Sequence, residues 1–494
     1  MRWYGGGFRL GWSVVGALEE VPVGAISPER FRPLLGEAYA QIEEATATAE
    51  EVLSGRVVWH INSTARGGGV AEMLHSLLAY GRGAGVDLRW LTISGDPEFF
   101  RLTKRIHNRL HDSEGDGGPL GRPEHELYEA GLLEAADELI RLVRKGDIVY
   151  VHDPQPAGLI PHVLSADVSV VWRCHIGIDH AGVLAREGWE FLRRYVEPAD
   201  AYVFSRERFV WDGLDRDRVW LVPPSIDIFS PKNQDLDPDA VRSILAVAGI
   251  RAGDHFAEAL FQRMDGSRAR VDRPADLDQD GPVPDDAPLV SQVSRWDRLK
   301  DPAGLLTAFA EHVGVDGAHL VLAGPSVAGV ADDPEGAEVL AEVRERRESL
   351  PADLRPRVHL ATLPMDDVEE NAAMVNAIQR RSDVVVQKSL AEGFGLTVAE
   401  AMWKARPVVA GRVGGIQDQI VDGTSGVLVD DPADLESVGG AIEGLLREPE
   451  RAGAIGQAAR QRVIEQFLGT RHLVQYMNLL EGLLRDDAGS AATR

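Results

Sequence analysis

The sequence predicts an α/β protein built from two doubly wound domains with parallel sheets. Runs rich in valine and isoleucine alternate with helical patterns in both halves of the chain, as in parallel sheets that are covered on both faces. A Pro- and Asp-rich stretch without this rhythm lies between the halves. In addition, 494 residues are too many for one ordinary hydrophobic core.

The first domain is predicted over residues 55–230, after an N-terminal lead-in of residues 1–54. The lead-in carries a helical pattern from about residue 27 to residue 53. Buried strands are predicted in the domain at 57–62, 88–93, 148–152, 168–174, 201–204 and 219–222. Proline-containing pairs near residues 224 and 231 mark the end of the domain.

The second domain is predicted over residues 231–469. Its strands are predicted at 289–294, 319–323, 358–360, 383–387, 407–410 and 426–429. An acidic insertion at about 253–286 has no clear pattern, so we predict a mobile surface loop there. Its Asp-x-Asp spacings indicate solvated linker rather than a metal site. A last helix at about 470–485 is expected to pack back on the first domain.

Composition excludes several classes of protein. A formal net charge of −26 argues against binding to nucleic acid or to an anionic membrane. The single cysteine, Cys174, allows no intrachain disulfide, and together with the lack of a convincing signal peptide it favours a cytoplasmic location. No apolar run approaches the ~18 residues that span a bilayer. No His/Cys cluster has the spacing of a zinc site.

The segment from Glu392 to Glu400 is the most informative motif. A β-branched run leads into a Gly-x-Gly turn that opens a helix, and one carboxylate flanks each side of the turn. Helix N-termini attract phosphate, and glycine lets a ligand approach the backbone closely. Carboxylates accept hydrogen bonds from hydroxyl groups. The motif therefore predicts a ligand with both phosphate and polyol parts, such as a nucleotide sugar.

Three further groups follow predicted strands, where open α/β sheets bind their ligands. Arg295 and Lys300 come after 289–294 and suit a diphosphate, which needs positive charge from side chains. A glycine run, Gly67 to Gly69, comes after 57–62 and allows close approach to a ligand. His175 ends one strand and His152-Asp153 ends its neighbour, so we expect these polar groups to converge.

Several separated segments resemble one family. Glu392 to Glu400 matches the E-x7-E motif of retaining glycosyltransferases of family 4, which have the GT-B fold of two Rossmann-like domains facing a cleft. The chain is also similar to the trehalose glycosyltransferring synthases from about residue 55 to 480. The segments that carry this likeness are His60–Glu72, Val151–Ala157, Trp172–Ile176, Asp332–Gly336 and Glu392–Lys404.

The resemblance implies transfer of glucose from ADP-, UDP- or GDP-glucose to free glucose, which gives α,α-trehalose in a reversible reaction. It implies no required cofactor, with Mg²⁺ at most stimulatory, and a homodimer. The implied catalytic residues are His175, Arg295, Lys300 and Glu392. The implied donor-binding residues are Gly67, Gly68, Gly69, Gly393, Phe394, Gly395, Leu396, Thr397 and Glu400. The implied acceptor-binding residues are Asp153, Gln155, Arg173 and Asp179.

One departure from the family pattern leaves the acceptor open. Where family members read Cys-His-Ile-Asp, this chain has glycine at position 177, and Asp179 or His180 is expected to substitute for the missing carboxylate. Three alternatives remain: phosphorolysis of trehalose, glucose transfer to another acceptor, and a sugar-nucleotide sensor without activity. The presence of Arg295, Lys300 and both glutamates of the motif disfavours the sensor.

Overall fold

The computed structural model describes residues 16–65, 69–252, 258–327 and 334–491. These residues form two seven-stranded sheets and one two-stranded sheet. Each large sheet is parallel apart from one antiparallel strand at its edge. The strands predicted from valine- and isoleucine-rich runs are present in both sheets. The predicted fold class, two doubly wound domains, is confirmed.

The first sheet has the strand order β1-β3-β2-β4-β5-β6-β7. Its strands are β1 (Leu18–Val21), β2 (Val58–Asn62), β3 (Leu88–Ile93), β4 (Ile148–His152), β5 (Ser169–Arg173), β6 (Ala201–Phe204) and β7 (Val219–Leu221). The helices of this half are α1 (Arg32–Leu35), α2 (Ala40–Val52), α3 (Gly69–Gly83), α4 (Pro97–Leu110), α5 (Arg122–Leu142), α6 (Ile160–Val163) and α7 (Val183–Val196). Because the order reverses between β2 and β4, a crevice forms there at the carboxyl ends of the strands.

The second half contains β8 (Leu260–Gln262), β9 (Arg268–Arg270), β10 (Asp276–Asp278), β11 (Leu289–Val293), β12 (His319–Pro325), β13 (Val358–Leu363), β14 (Val384–Gln387), β15 (Val408–Gly411) and β16 (Val427–Val429). Its helices are α8 (Pro238–Val247), α9 (Pro302–His312), α10 (Pro334–Glu348), α11 (Val368–Arg381), α12 (Leu396–Trp403), α13 (Ile416–Gln419), α14 (Leu435–Arg447), α15 (Pro449–Gln466) and α16 (Gly469–Ala491). The large sheet has the order β10-β13-β12-β11-β14-β15-β16. Its reversal lies between β11 and β14.

Both large sheets are buried on two faces, as the continuous apolar strands predict. In β4, Val149 and Val151 pack against α4, α5 and α7, whereas Ile148 and Tyr150 pack against α2, α3 and α16. The second sheet is covered in the same way, by α9, α10 and α14 on one face and by α8 and α11 on the other. Helix α16 follows the second half in sequence but packs on α2 and α3 of the first.

The acidic insertion differs from the predicted mobile loop in its described residues. Strands β8 and β9 form a hairpin, and β10 extends the second sheet by pairing antiparallel with β13. Phe261 and Val271 are buried beside α8 and α11. Two aspartates of the insertion form ion pairs with arginines that are distant in sequence. Asp278 accepts from Arg344, and Asp280 accepts from both Arg347 and Arg355. Long-range charge pairing thus orders a stretch whose composition is typical of disorder.

Within the described ranges, none of the helices is both long enough and apolar enough to cross a membrane.

Candidate active site

The candidate site lies where the carboxyl ends of the two sheets face each other. An added Cβ at Gly393, from the second half, would lie 3.3 Å from the backbone oxygen of His175 in the first. An added Cβ at Gly69 would lie 2.9 Å from a methyl group of Leu396. The two halves therefore meet in a closed cleft, and the glycines at the contact let the backbones approach.

Lys300 and Glu392 form an ion pair in this cleft. Gln292 Nε2 donates to the carbonyl of Lys300 over 3.0 Å, which ties the loop after β11 to its own strand. The backbone N–H of Leu390 donates to the carbonyl of Leu299 over 2.7 Å, so the loop after β14 is tied to the loop after β11. These hydrogen bonds bring together two predicted site residues that are far apart in sequence.

Lys388 is a residue that the sequence analysis missed. It lies directly after β14, is 1% exposed and pairs with Asp301. Asp301 also caps α9 by accepting from the backbone N–H of Gly304 over 2.9 Å. A buried lysine is stable only when it is paired, so this contact anchors the loop that carries Arg295 and Lys300.

The glycine turn predicted at 393–395 is present and begins α12. Gly395 has φ +83° and precedes the first helical residue, so the turn requires a left-handed conformation there. Gly415 N–H donates to the carbonyl of Gly393 over 3.0 Å. A side chain at Gly414 is excluded because an added Cβ would lie 1.6 Å from the carbonyl oxygen of Glu392. Thr397 hydroxyl donates to Gln387 over 3.2 Å, which fixes the first turn of the helix.

Glu400 is 1% exposed, and its Oε2 has no hydrogen-bond partner among the described residues. Burial raises its pKa, while Lys232, Lys404 and the nearby Gln379 amide, which is outside hydrogen-bond geometry, oppose this. Lys232 lies 3.7 Å from Glu400 Oε1 and 2.6 Å from Glu72 Oε2 on α3. Lys232 and Glu72 were not predicted, because only the fold brings them beside the motif. A buried carboxylate with an unused oxygen can accept a hydrogen bond from a ligand hydroxyl.

His175 and Asp153 converge as predicted, at the ends of β5 and β4. Asp153 Oδ1 accepts from the backbone N–H of His175 over 2.7 Å. Asp153 has φ +63°, a left-handed conformation that aspartate adopts more readily than most residues other than glycine. Burial raises the pKa of Asp153 to about 7.

Asp153 is expected to lower stability as pH rises. Its pKa is higher in the folded protein, about 7, than its ordinary value of 3.8, so the folded state binds this proton more tightly. Stability therefore falls as pH rises from 3.8 to about 7, and the loss persists at higher pH. We expect Asp153→Asn to gain at least ~1 kcal/mol of unfolding free energy relative to wild type at about pH 8, and little at about pH 4.5. Urea denaturation at both pH values measures the difference.

The matched control is Asp167→Asn. Asp167 has φ +55° and is exposed, so asparagine meets the same backbone requirement without the burial. Its effect on unfolding free energy should be the same at both pH values. An Asp153→Asn effect that is equally independent of pH would contradict the raised pKa.

Two predicted acceptor-binding residues are already bound by other protein groups. Arg173 is fully buried, and its guanidinium donates to the carbonyls of Val222 over 2.6 Å and Phe204 over 3.5 Å. Asp179 Oδ1 accepts from Arg206 over 2.6 Å, and its Oδ2 accepts from Gly414 N–H over 2.8 Å. Both carboxylate oxygens of Asp179 therefore accept hydrogen bonds from protein groups. Gln155 is half-buried near Asp153.

The Asp179 contacts belong to a cluster that bridges the halves. Arg206, from the first half, also pairs with Asp418 of α13 over 2.9 Å and donates to the carbonyl of Gly414. Gln417 Nε2 donates to Asp179 over 3.0 Å. Because Gly414 packs on Glu392, this cluster holds the two halves together next to Glu392.

Position 177 has no room for the expected carboxylate. An added Cβ there would lie 2.0 Å from the ring of Phe209, which is buried. His180, the other expected substitute, is exposed. Two other predicted acceptor contacts, Asp153 and Gln155, are half-buried at the end of β4.

The remaining predicted residues are only partly covered by the described ranges. Gly67, Gly68 and Asp332 lie outside the described residues. Arg295 is half-exposed and 3.3 Å from Asp297. His111, at the end of α4, was not predicted; burial lowers its pKa to about 4, and the charges of Glu392 and Lys300 also act on it. Within the described ranges, no group of three or more His, Cys, Asp or Glu side chains is arranged to hold a metal ion.

Comparison with known proteins identifies the family. Residues 60–211 match the family described as trehalose synthase, N-terminal domain, and residues 275–462 match glycosyl transferases group 1. A trehalose synthase from Pyrococcus horikoshii is 36% identical over 471 residues, which cover 94% of this chain and 99% of that protein. The chain belongs to the trehalose synthase family.

More distant relatives of this trehalose synthase family member extend the comparison. A trehalose phosphorylase from Pleurotus pulmonarius is 26% identical over 85% of this chain and 56% of its own length. The crystal structure of a UDP-forming α,α-trehalose-phosphate synthase from Burkholderia xenovorans, in complex with glucose-6-phosphate, has a TM-score of 0.64 at 15% identity and covers 87% of this chain and 100% of that one. This likeness confirms the predicted GT-B fold. The protein is thus a trehalose-related glycosyltransferase.

Proposed function

We propose that the protein transfers glucose from a nucleoside diphosphate glucose to free glucose, with retention of the anomeric configuration, and so forms α,α-trehalose. Glu400 carries this proposal, because a carboxylate that is 1% exposed and has one oxygen without a protein partner suits the ribose hydroxyls of a nucleotide. The Lys300–Glu392 pair supports it at the other end of the ligand, where diphosphate and sugar would lie.

The chemistry follows from the charges in the cleft. The bond between the anomeric carbon and the diphosphate oxygen breaks, and the electron pair leaves with the diphosphate. Lys300, Arg295 and the N-terminus of α12 stabilise this departing charge. The anomeric hydroxyl of the acceptor then bonds to the same face of the carbon. Its proton passes to the departing diphosphate oxygen, and no metal is required in this scheme.

Closure of the cleft limits the competing reaction with water. The bridging cluster of Asp179, Arg206, Gly414, Gln417 and Asp418 holds the halves together around Glu392. A closed site excludes water from a reactive oxocarbenium-like sugar. We therefore propose that transfer to glucose exceeds hydrolysis of the donor.

The alternative is phosphorolysis of trehalose, which the similarity to a trehalose phosphorylase favours. The two reactions differ in what attacks trehalose. Purified protein is incubated with trehalose and either a nucleoside diphosphate or inorganic phosphate, and the sugar products are separated by chromatography. Nucleoside diphosphate glucose as the product supports the proposal, whereas glucose phosphate formed only with inorganic phosphate supports the alternative. Reaction with neither, but binding of the nucleotide, supports a sensor.

A further inference from the structure

Three histidines form a hydrogen-bonded chain that ends at His175. His60 Nδ1 lies 3.0 Å from His152 Nε2, and His152 Nδ1 lies 3.0 Å from His175 Nε2. The rings are nearly parallel, at 25° for the first pair and 13° for the second. His60 lies in β2, His152 ends β4, and His175 is the second residue after β5. These three strands are neighbours in the first sheet. We call His60, His152 and His175 the histidine chain.

The surroundings of the histidine chain disfavour a charge on it. His60 is 3% exposed and His152 is fully buried. Burial lowers the pKa of His60 to about 3 and places the pKa values of His152 and His175 well below the ordinary value. The buried guanidinium of Arg173 and the neighbouring ring of His472 also disfavour protonation of His152 and His175. The three rings are therefore neutral near pH 7.

Neutral rings leave only two proton arrangements. Each N···N contact needs one hydrogen, and each neutral imidazole carries one. If His152 donates from Nδ1 to His175, it must accept at Nε2 from His60, and all three rings carry their proton on Nδ1. If His152 donates from Nε2 to His60, all three carry it on Nε2. The three rings thus share one tautomer.

We propose that His152, supported by His60, is a positioning residue that fixes the ring orientation and the tautomer of His175. Because Nε2 of His175 is used by His152, its Nδ1 is the ring nitrogen left for a ligand. The tautomer of the histidine chain determines whether Nδ1 of His175 donates or accepts a hydrogen bond. This inference rests on the proposed function in one respect: the ligand is taken to be a hydroxyl of the donor sugar.

The shared tautomer can be measured without substrate. Nitrogen-15 NMR of labelled protein separates protonated from unprotonated ring nitrogens, and through-bond correlation of each ring with its own assigned backbone amide identifies the residue. We expect the same tautomer at His60, His152 and His175 near pH 7. Different tautomers among the three, or a charged ring, would overturn the proposal. This measurement uses the wild-type protein, so it still decides the question if variants fail to fold.

The kinetic test uses two substitutions of His152. The amide of Asn can replace Nδ1 of histidine, and the amide of Gln can replace Nε2. His152→Gln, which loses the contact to His175, is expected to lower kcat ~10-fold to ~100-fold with little change in donor KM, since misorientation of a contact acts on the chemical step. His152→Asn, which keeps the contact to His175, is expected to retain much of the wild-type kcat. Equal kcat in the two variants, with both folded, would overturn the proposal.

The second domain offers a matched control. His319 Nδ1 lies 2.8 Å from His359 Nε2, and this stacked pair lies at the amino ends of β12 and β13, away from the cleft. His359→Asn breaks a buried histidine pair but leaves the histidine chain intact, so kcat should be unchanged. A shared tautomer in a wild-type protein that shows no transfer to glucose would support the histidine chain and count against the proposed function, so the two can fail separately.

Discussion

Replacing Lys300 by alanine is expected to lower turnover at least ~100-fold, the loss typical of removing a group that stabilises developing charge. Lys300 is paired with Glu392 in the closed cleft, and its side chain is 17% exposed, so a ligand can reach it. Removal of the ammonium group leaves only Arg295 and the N-terminus of α12 to stabilise the departing diphosphate. The measurement is the steady-state rate of nucleoside diphosphate release with saturating glucose.

Lys145→Ala is the control for Lys300→Ala. Lys145 also forms an ion pair, with Asp167 at 3.1 Å, but its side chain is 83% exposed on the first domain. Exposed ion pairs contribute little, so turnover and melting temperature should be unchanged. Wild-type turnover in a folded Lys300→Ala protein would show that the diphosphate site has been placed wrongly.

Replacing Glu400 by glutamine is expected to raise the donor KM by ~10-fold to ~100-fold, because hydrogen bonds to a charged group are worth ~1.5–3 kcal/mol. Glutamine keeps the volume of this buried side chain, which limits the effect on packing. Turnover at saturating donor should change much less, since the ribose is remote from the reacting carbon. Initial rates over a range of donor concentrations separate the two effects.

A donor that lacks the ribose 2′-hydroxyl provides the matching test. Wild type should bind the deoxy donor less tightly than the natural one, whereas Glu400→Gln should distinguish the two donors far less. Non-additivity of this kind is the signature of a direct contact. Glu443→Gln is the control variant and should leave donor KM unchanged, because Glu443 is a half-buried glutamate that pairs with Arg447 on α14. Full discrimination in the Glu400→Gln protein would remove Glu400 from the ribose site.

The fold was predictable wherever local pattern and burial agree. Strands such as β14, whose four residues are all buried, read as continuous apolar runs. Strands β8, β9 and β10 were missed because each has three residues and is polar or charged on at least one face. The region of β10 is also held by arginines about 65–75 residues away in sequence: Asp278 accepts from Arg344, and Asp280 accepts from Arg355. No local pattern carries that information.

The site was predictable where residues follow strands and unpredictable where contacts cross between halves. Glu392, Lys300, His175 and Asp153 were predicted because the carboxyl edge of a parallel sheet is a known ligand position. The fold brings Lys300 beside Glu392 and Asp153 beside His175. Arg173 was misplaced because a strand that is buried on both faces gives no indication of which residues reach the cleft. The partners of Asp179 and Glu400 come from distant segments and become neighbours only on folding.

The most direct test of the account is the structure of the product. Protein is mixed with chelator, glucose labelled with carbon-13 at its anomeric carbon, and ADP-, UDP- or GDP-glucose in turn, and products are followed by carbon-13 NMR. We predict a labelled α,α-trehalose signal with at least one donor, which would establish the acceptor, the retention and the independence from metal together. A β-linked product, donor consumption without labelled disaccharide, or no reaction with any of these donors would contradict the account.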